Sequence, residues 1–283
     1  MNADGKFCDL PESFVMIQKP FVYQRISFWI IVGILLVLIV YLIIYSIIRK
    51  NKVQQLKLET MVQMKTVDLE IEKDKSDRLL RNILPASIAE QLKSVNGPDG
   101  RTIAERFENV TVLFSDLVGF TDMTSRENPE EIVSSLNNLI SRFDIRAEKM
   151  GIEKIKTIGD AYMAACGVPL PDERHAEKIV AFAKGMYKDL ENYNRTARIK
   201  FQMRIGINSG TVIAGVIGKN KFIYDMWGDT VNVASRMEST CTPGKIRITE
   251  SVKTILEQKY TINSCLENEC NIKGKGIMKT YEI

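Results

Sequence analysis

Histidine is almost missing from this chain of 283 residues: His175 is the only one. The five cysteines (Cys8, Cys166, Cys241, Cys265 and Cys270) show no zinc-ligand spacing with a histidine partner, which argues against a structural zinc site. Cys265 and Cys270 could bridge in an oxidising compartment, but lone thiols of a cytosolic domain are the expectation. Glycine (17) and proline (8) are present in ordinary numbers, so collagen-like, low-complexity and disordered classes drop out. An excess of one charge is lacking too. Lys and Arg number 39 against 35 Asp and Glu, and residues 83–283 hold 27 bases against 26 acids. Nucleic-acid binding normally needs a basic face, so no nucleic-acid partner is expected.

Charge is absent altogether from Ile26 to Ile48, 23 positions bounded by Arg25 and Arg49. At about 1.5 Å per residue such a helix spans a ~30 Å hydrocarbon core with some tilt. The run is too long for the apolar part of a signal peptide, and no small-x-small cleavage site follows it. Arg49, Lys50, Lys52 and Lys57 precede the first acid, Glu59. By the positive-inside rule that end faces the cytoplasm. A single-pass protein of the cell membrane is expected, in contact with lipid through this one span. Residues 1–25 would be extracytoplasmic and too short for a folded sensor, leaving any sensor partner unknown.

Residues 49–100 read as a helical linker. Gly and Pro are missing from 50–82, which favours a helix continuing out of the membrane. Val53, Leu56, Met64, Val67 and Ile71 follow three- and four-residue steps in part, leaving both a parallel coiled coil and a solvated stalk open. Pro85 restarts the chain before a short helix over Ser87–Leu92, and Gly97-Pro98-Asp99-Gly100 marks a turn at the entrance to the next domain.

Residues 101–283 alternate strand and helix. Val110–Phe114 reads as a strand, and Asn128-Pro129-Glu130-Glu131 as a capped helix start. That helix is expected to bury Ile132, Leu136, Leu139, Ile140 and Phe143. Lys154–Ile158 and Ala161–Cys166 form a hairpin signal across Gly159-Asp160. A helix over 173–193 and a strand over Phe201–Ile207 complete an α+β, ferredoxin-like α/β sandwich. Asp116 and Asp160 each sit where a strand meets a tight turn, and a carboxylate pair near backbone carbonyls is what Mg²⁺ prefers. Gly119-Phe120-Thr121 offers backbone N–H groups to a phosphate. Taken alone, such aspartates are more often solvated turn formers.

Three segments change that weighting: Phe114-Ser-Asp-Leu-Val-Gly-Phe-Thr121, Lys154-Ile-Lys-Thr-Ile-Gly-Asp-Ala-Tyr-Met163 and Tyr224-Asp-Met-Trp-Gly-Asp-Thr-Val-Asn-Val-Ala-Ser-Arg-Met237. Together they closely resemble the class III nucleotidyl cyclases, over roughly residues 80–283. Asn82-Ile-Leu-Pro85 is similar to the element preceding the catalytic domain in membrane-bound members. The resemblance implies that Asp116, Asp160 and the carbonyl of Leu117 hold two Mg²⁺ (or Mn²⁺) ions, which activate the ribose 3′-hydroxyl and neutralise the triphosphate.

It also implies that Asn232 orients the ribose and Arg236, four residues on along one helix face, stabilises charge on the α-phosphate. Lys275 matches the lysine that contacts the β/γ-phosphates, with Lys273 a rival. Lys156 and Asp225 match the adenine-reading pair, a donor for N1 and an acceptor for N6. ATP is the expected substrate, with cyclic AMP and pyrophosphate as products. Lys154, two residues from Lys156 and expected on the same strand face, is the confounder. In this family the metal and base residues meet across a dimer interface, so a homodimer with two composite sites is implied. A guanylyl cyclase and a catalytically silent module are the alternatives. The Gly-Gly-(Asp/Glu)-Glu-Phe signature of diguanylate cyclases is absent.

Overall fold

The computed structural model describes residues 21–81, 83–94, 103–218, 221–258, 266–272 and 275–283. Cys8, Asn82, the 97–100 turn, Cys265 and Lys273 lie outside them. Two compact units are present, divided between Lys75 and Ser76. Residues 26–75 of the first belong to helix α1 (Ile26–Arg81), 56 residues without a break and about 84 Å long. None of its residues is buried, and its N-terminal part is long and apolar enough to cross a membrane. The linker positions Val53, Leu56, Met64, Val67 and Ile71 are all exposed.

In the second unit, α2 (Ala86–Ser94) leads to strand β1 (Ala104–Leu117), the short α3 (Phe120–Thr124) and α4 (Pro129–Met150). The hairpin β2 (Glu153–Ile158) and β3 (Ala161–Cys166), then α5 (His175–Thr196) and β4 (Met203–Ile217), complete a β-α-β-β-α-β core. An extension follows: β5 (Ile223–Trp227), α6 (Asp229–Ser239), β6 (Ile246–Thr249), α7 (Glu250–Glu257), β7 (Leu266–Ile272) and β8 (Gly276–Glu282). The strand order is β2-β3-β1-β4-β6-β8-β7, with β5 paired to β4 as a branch. Among the described strands only β4–β6 is parallel. The β2-β3-β1-β4 half has the ferredoxin-like order.

Local chemistry explains the elements that position the site. Asn128 Oδ1 accepts from Glu130 N at 2.9 Å at the start of α4, and Pro129 occupies the first turn, satisfying a donor the helix cannot. Ile132, Leu139, Phe143 and Ala147 are then buried from α4, whereas Leu136 and Ile140 reach only the core's edge. Helices α4, α5 and α7 cover one sheet face. On the other face, Leu84, Ile88 and Ala89 pack with residues of β1, β3, β4 and β5 and with Ala234 of α6. Gly206 of β4 fixes the seat of α6, because a Cβ there would lie 1.9 Å from Glu238 N. Gly159, at φ 62°, supplies the left-handed residue that the β2–β3 turn requires. Among the described residues Cys166, Cys241 and Cys270 are free thiols.

Candidate active site

Asp116 lies one residue from the end of β1, and Asp160 lies in the β2–β3 turn. Pairing of β1 with β3 brings both to one sheet end. Burial raises the Asp160 carboxyl above its ordinary range, and the Asp116 charge and a hydrogen bond between the two carboxyls raise it further. Two carboxyls in contact form an oxygen-only site suited to a hard divalent cation. Among the described residues there is no group of three or more His, Cys, Asp or Glu that could hold a metal ion. The pair, with a neighbouring carbonyl, therefore offers a partial shell that phosphate oxygens can complete.

Two further charges belong to this cluster. Arg204 stands opposite Asp116 in the β1–β4 register. Its Nη2 donates to Asp116 Oδ2 at 2.9 Å, and its Nε donates to Glu238 Oε1 at 2.6 Å. Glu238 is buried, which raises its carboxyl, although Arg204 works against the rise. None of the three motifs points to Arg204 or Glu238. The available signals were an arginine inside the apolar strand Met203–Ile207 and an acid next to the buried Met237.

The structure also joins Lys156 to Asp225. Lys156 Nζ donates to Asp225 Oδ2 at 2.5 Å, while Asp225 Oδ1 accepts from Met226 N at 2.8 Å. Lys154 departs from expectation. A register shift in the β2–β3 pairing falls between Lys154 and Lys156, and such a bulge breaks the period-two rule for strand faces. Lys154 turns instead to Asp144 of α4, at 2.6 Å, and lies 5.3 Å from the Tyr162 ring centroid. It is committed to another partner and does not compete for Asp225.

Asn232 and Arg236 are exposed along α6. Arg236 makes no ion pair among the described residues. Lys275 Nζ lies 2.8 Å from Asp229 Oδ2, at the start of the same helix. Gly119, at φ 73°, turns the chain into α3, which opens with Phe120 and Thr121. The Phe120 ring packs 6.4 Å from Phe201, so what this turn presents is backbone. Leu117 is buried beside Asp160, its backbone hydrogen-bonded to that carboxyl. Met226 is core and Trp227 is 39% exposed. Within one chain, no hydrogen bond or ion pair among the described residues joins the Asp116 cluster to the Lys156–Asp225 pair.

Residues 102–283 match the family model of the adenylate and guanylate cyclase catalytic domain. The chain belongs to this family. It is 41% identical over 213 residues to an adenylate cyclase of Mycobacterium tuberculosis, covering 75% of this chain and 47% of that protein. It is 39% identical over 246 residues to bovine retinal guanylyl cyclase 2, covering 84% of this chain and 22% of the relative. The chain thus spans less than half the length of either. A dimeric guanylyl cyclase domain from the aquatic fungus Blastocladiella emersonii superposes with a TM-score of 0.56 at 36% identity, covering 63% of this chain and 97% of that one. Class III cyclases depend in general on divalent metal, which agrees with the oxygen-rich Asp116–Asp160 pair.

Proposed function

We propose that the chain is an adenylyl cyclase that converts ATP into 3′,5′-cyclic AMP and pyrophosphate at two sites shared by a homodimer. The Lys156–Asp225 contact carries the choice of base. Held together at 2.5 Å, Lys156 can donate to adenine N1 and Asp225 can accept from N6, and the two match the lysine–aspartate pair of adenylyl members of the family rather than the Glu and Cys of guanylyl members.

Asp116, Asp160 and the carbonyl of Leu117 would hold two Mg²⁺ or Mn²⁺ ions, which when bound acidify the ribose 3′-hydroxyl and neutralise the triphosphate. In the reaction the 3′-oxygen gives up its proton to water and bonds to the α-phosphorus. The bond from that phosphorus to the bridging oxygen breaks, and pyrophosphate leaves. Asn232 orients the ribose, and the Arg236 fork meets the charge that builds on the α-phosphate. Lys275 and the backbone of Phe120 and Thr121 hold the outer phosphates.

The composite arrangement is supported by two features. Each polar group is internally hydrogen-bonded yet unconnected to the other inside one chain among the described residues. Ile213, Ile217, Ile223 and Trp227 also leave an apolar surface on β4 and β5, 39–55% exposed, beside Asp225; such a surface suits a second copy of the chain. Residues 26–48 would cross the membrane, residues 49–100 would link it to the catalytic domain, and residues 101–283 would face the cytoplasm, with 1–25 outside.

The deciding experiment incubates the purified chain with ATP or GTP and each metal, then identifies the product. Cyclic AMP from ATP is expected. Cyclic GMP as the main product would make the chain a guanylyl cyclase, and no product with either nucleotide would leave a silent module.

A further inference from the structure

The ion pairs around Arg204 reach beyond the metal-binding edge. Glu238, 8% exposed, lies on α6 two residues after Arg236. It grips Arg204, which in turn grips Asp116. Helix and strand are in such close contact here, where a Cβ on Gly206 would meet Glu238 N at 1.9 Å, that α6 cannot settle independently of β4. The carboxylate of Asp116 and the helix bearing Asn232 and Arg236 are therefore ends of one connected device.

We propose that Glu238 is a positioning residue that, through Arg204, makes the two composite sites of the homodimer respond to each other. This rests on the composite-site reading above, in which each chain gives its Asp116 to one site and its Arg236 to the other. The Asp116–Arg204–Glu238 bridge joins those two contributions inside a single subunit. It has two arrangements. In one, the guanidinium is shared between the two carboxylates. In the other, Asp116 is committed to a divalent cation, which repels the guanidinium and leaves Glu238 as its partner. Released from Asp116, β4 and the α6 seated on it resettle together, and Arg236 shifts with them. Filling one site thereby alters its neighbour's hold on substrate.

The test uses the full chain in detergent, titrated calorimetrically with 3′-deoxy-ATP and Mn²⁺. This analogue lacks the attacking hydroxyl, so binding is read without turnover. Wild type is expected to show two steps whose affinities differ about fivefold or more. Glu238→Gln, which keeps the shape and removes the charge, should show one affinity, and Glu238→Asp should recover part of the separation. A single affinity in wild type, or an unchanged separation in Glu238→Gln, overturns the bridge. Should Glu238→Gln fail to fold, Arg204→Lys, which keeps the charge but loses the two-pronged geometry, is expected to narrow the separation; an unchanged separation there overturns the bridge as well. Mixing Asp116→Ala with Arg236→Ala chains keeps the premise separate. No rescued turnover in dimers that do form overturns the composite-site reading, whereas rescue with an unaltered Glu238→Gln isotherm overturns the bridge alone.

Discussion

The two polar groups on the catalytic sheet are built on opposite principles. Around Asp116 two carboxylates, its own and that of Glu238, share Arg204 while a third, Asp160, leans on Asp116, so negative charge is in excess and Asp160 and Glu238 are pushed toward neutrality. Lys156 and Asp225 instead form a balanced pair, one cation to one anion, with the aspartate's other oxygen taken by Met226 N. An unbalanced cluster attracts a cation from solution. A balanced pair cannot, but it holds a donor and an acceptor in fixed positions for a neutral ring to read. In the proposed function the difference separates charge stabilisation from recognition, and it can be broken at either end.

The largest effect should come from the unbalanced side. Asp116→Ala is expected to lower turnover by about 10³-fold or more, since a bound cation supplies several kcal/mol to the transition state. Dimer formation, followed by light scattering, should persist. Chelation of divalent metal should mimic the loss and be reversed by adding metal back. On the balanced side, Lys156→Glu combined with Asp225→Cys should shift the ATP/GTP ratio by about 10²-fold towards GTP, with little change in metal dependence. A shift in metal dependence instead of base choice would erase the distinction.

Much of the fold was legible because it is local. The Asn128-Pro129 start of α4 and the Gly159-Asp160 hairpin stand where sequence patterns put them. Strands β1 and β4 run well past their apolar stretches, to 14 and 15 residues, because their pairing continues beyond the core. The β7–β8 hairpin escaped notice: its register is set by pairing with β6, not by an alternating pattern. Asp116 and Asp160 were visible as acids at turns. Arg204 and Glu238 were not, because one lies 88 residues from its partner in Asp116 and the other 34 residues from Arg204.

Two smaller effects sharpen the contrast. Burial pushes the Glu153 carboxyl, on β2 near the balanced pair, up to about 7 from an ordinary 4.5. A carboxyl raised in this way favours folding when protonated. Its contribution, roughly 2–3 kcal/mol, is complete below about pH 4.5 and lost as pH rises through about 7. Glu153→Gln should therefore flatten this part of the pH dependence of unfolding between pH 5 and 8, while leaving the response to Asp116→Ala intact. Least of all, Asn128→Ala should cost about 1 kcal/mol of stability, read from denaturant midpoints, by removing the cap of α4. It should leave both metal use and base choice alone.

The one-residue slip in β2 has a bearing on transplanting substrate preference between relatives. A strand is usually handled as a ladder whose alternate rungs share a side, so that side chains can be exchanged rung for rung. Between Lys154 and Lys156 the ladder skips, and one lysine serves a helix while the other serves a strand. Copying a single position into a relative without the skip would send that ammonium to the wrong post; the portable piece is the whole ribbon from Glu153 to Ile158, irregularity included.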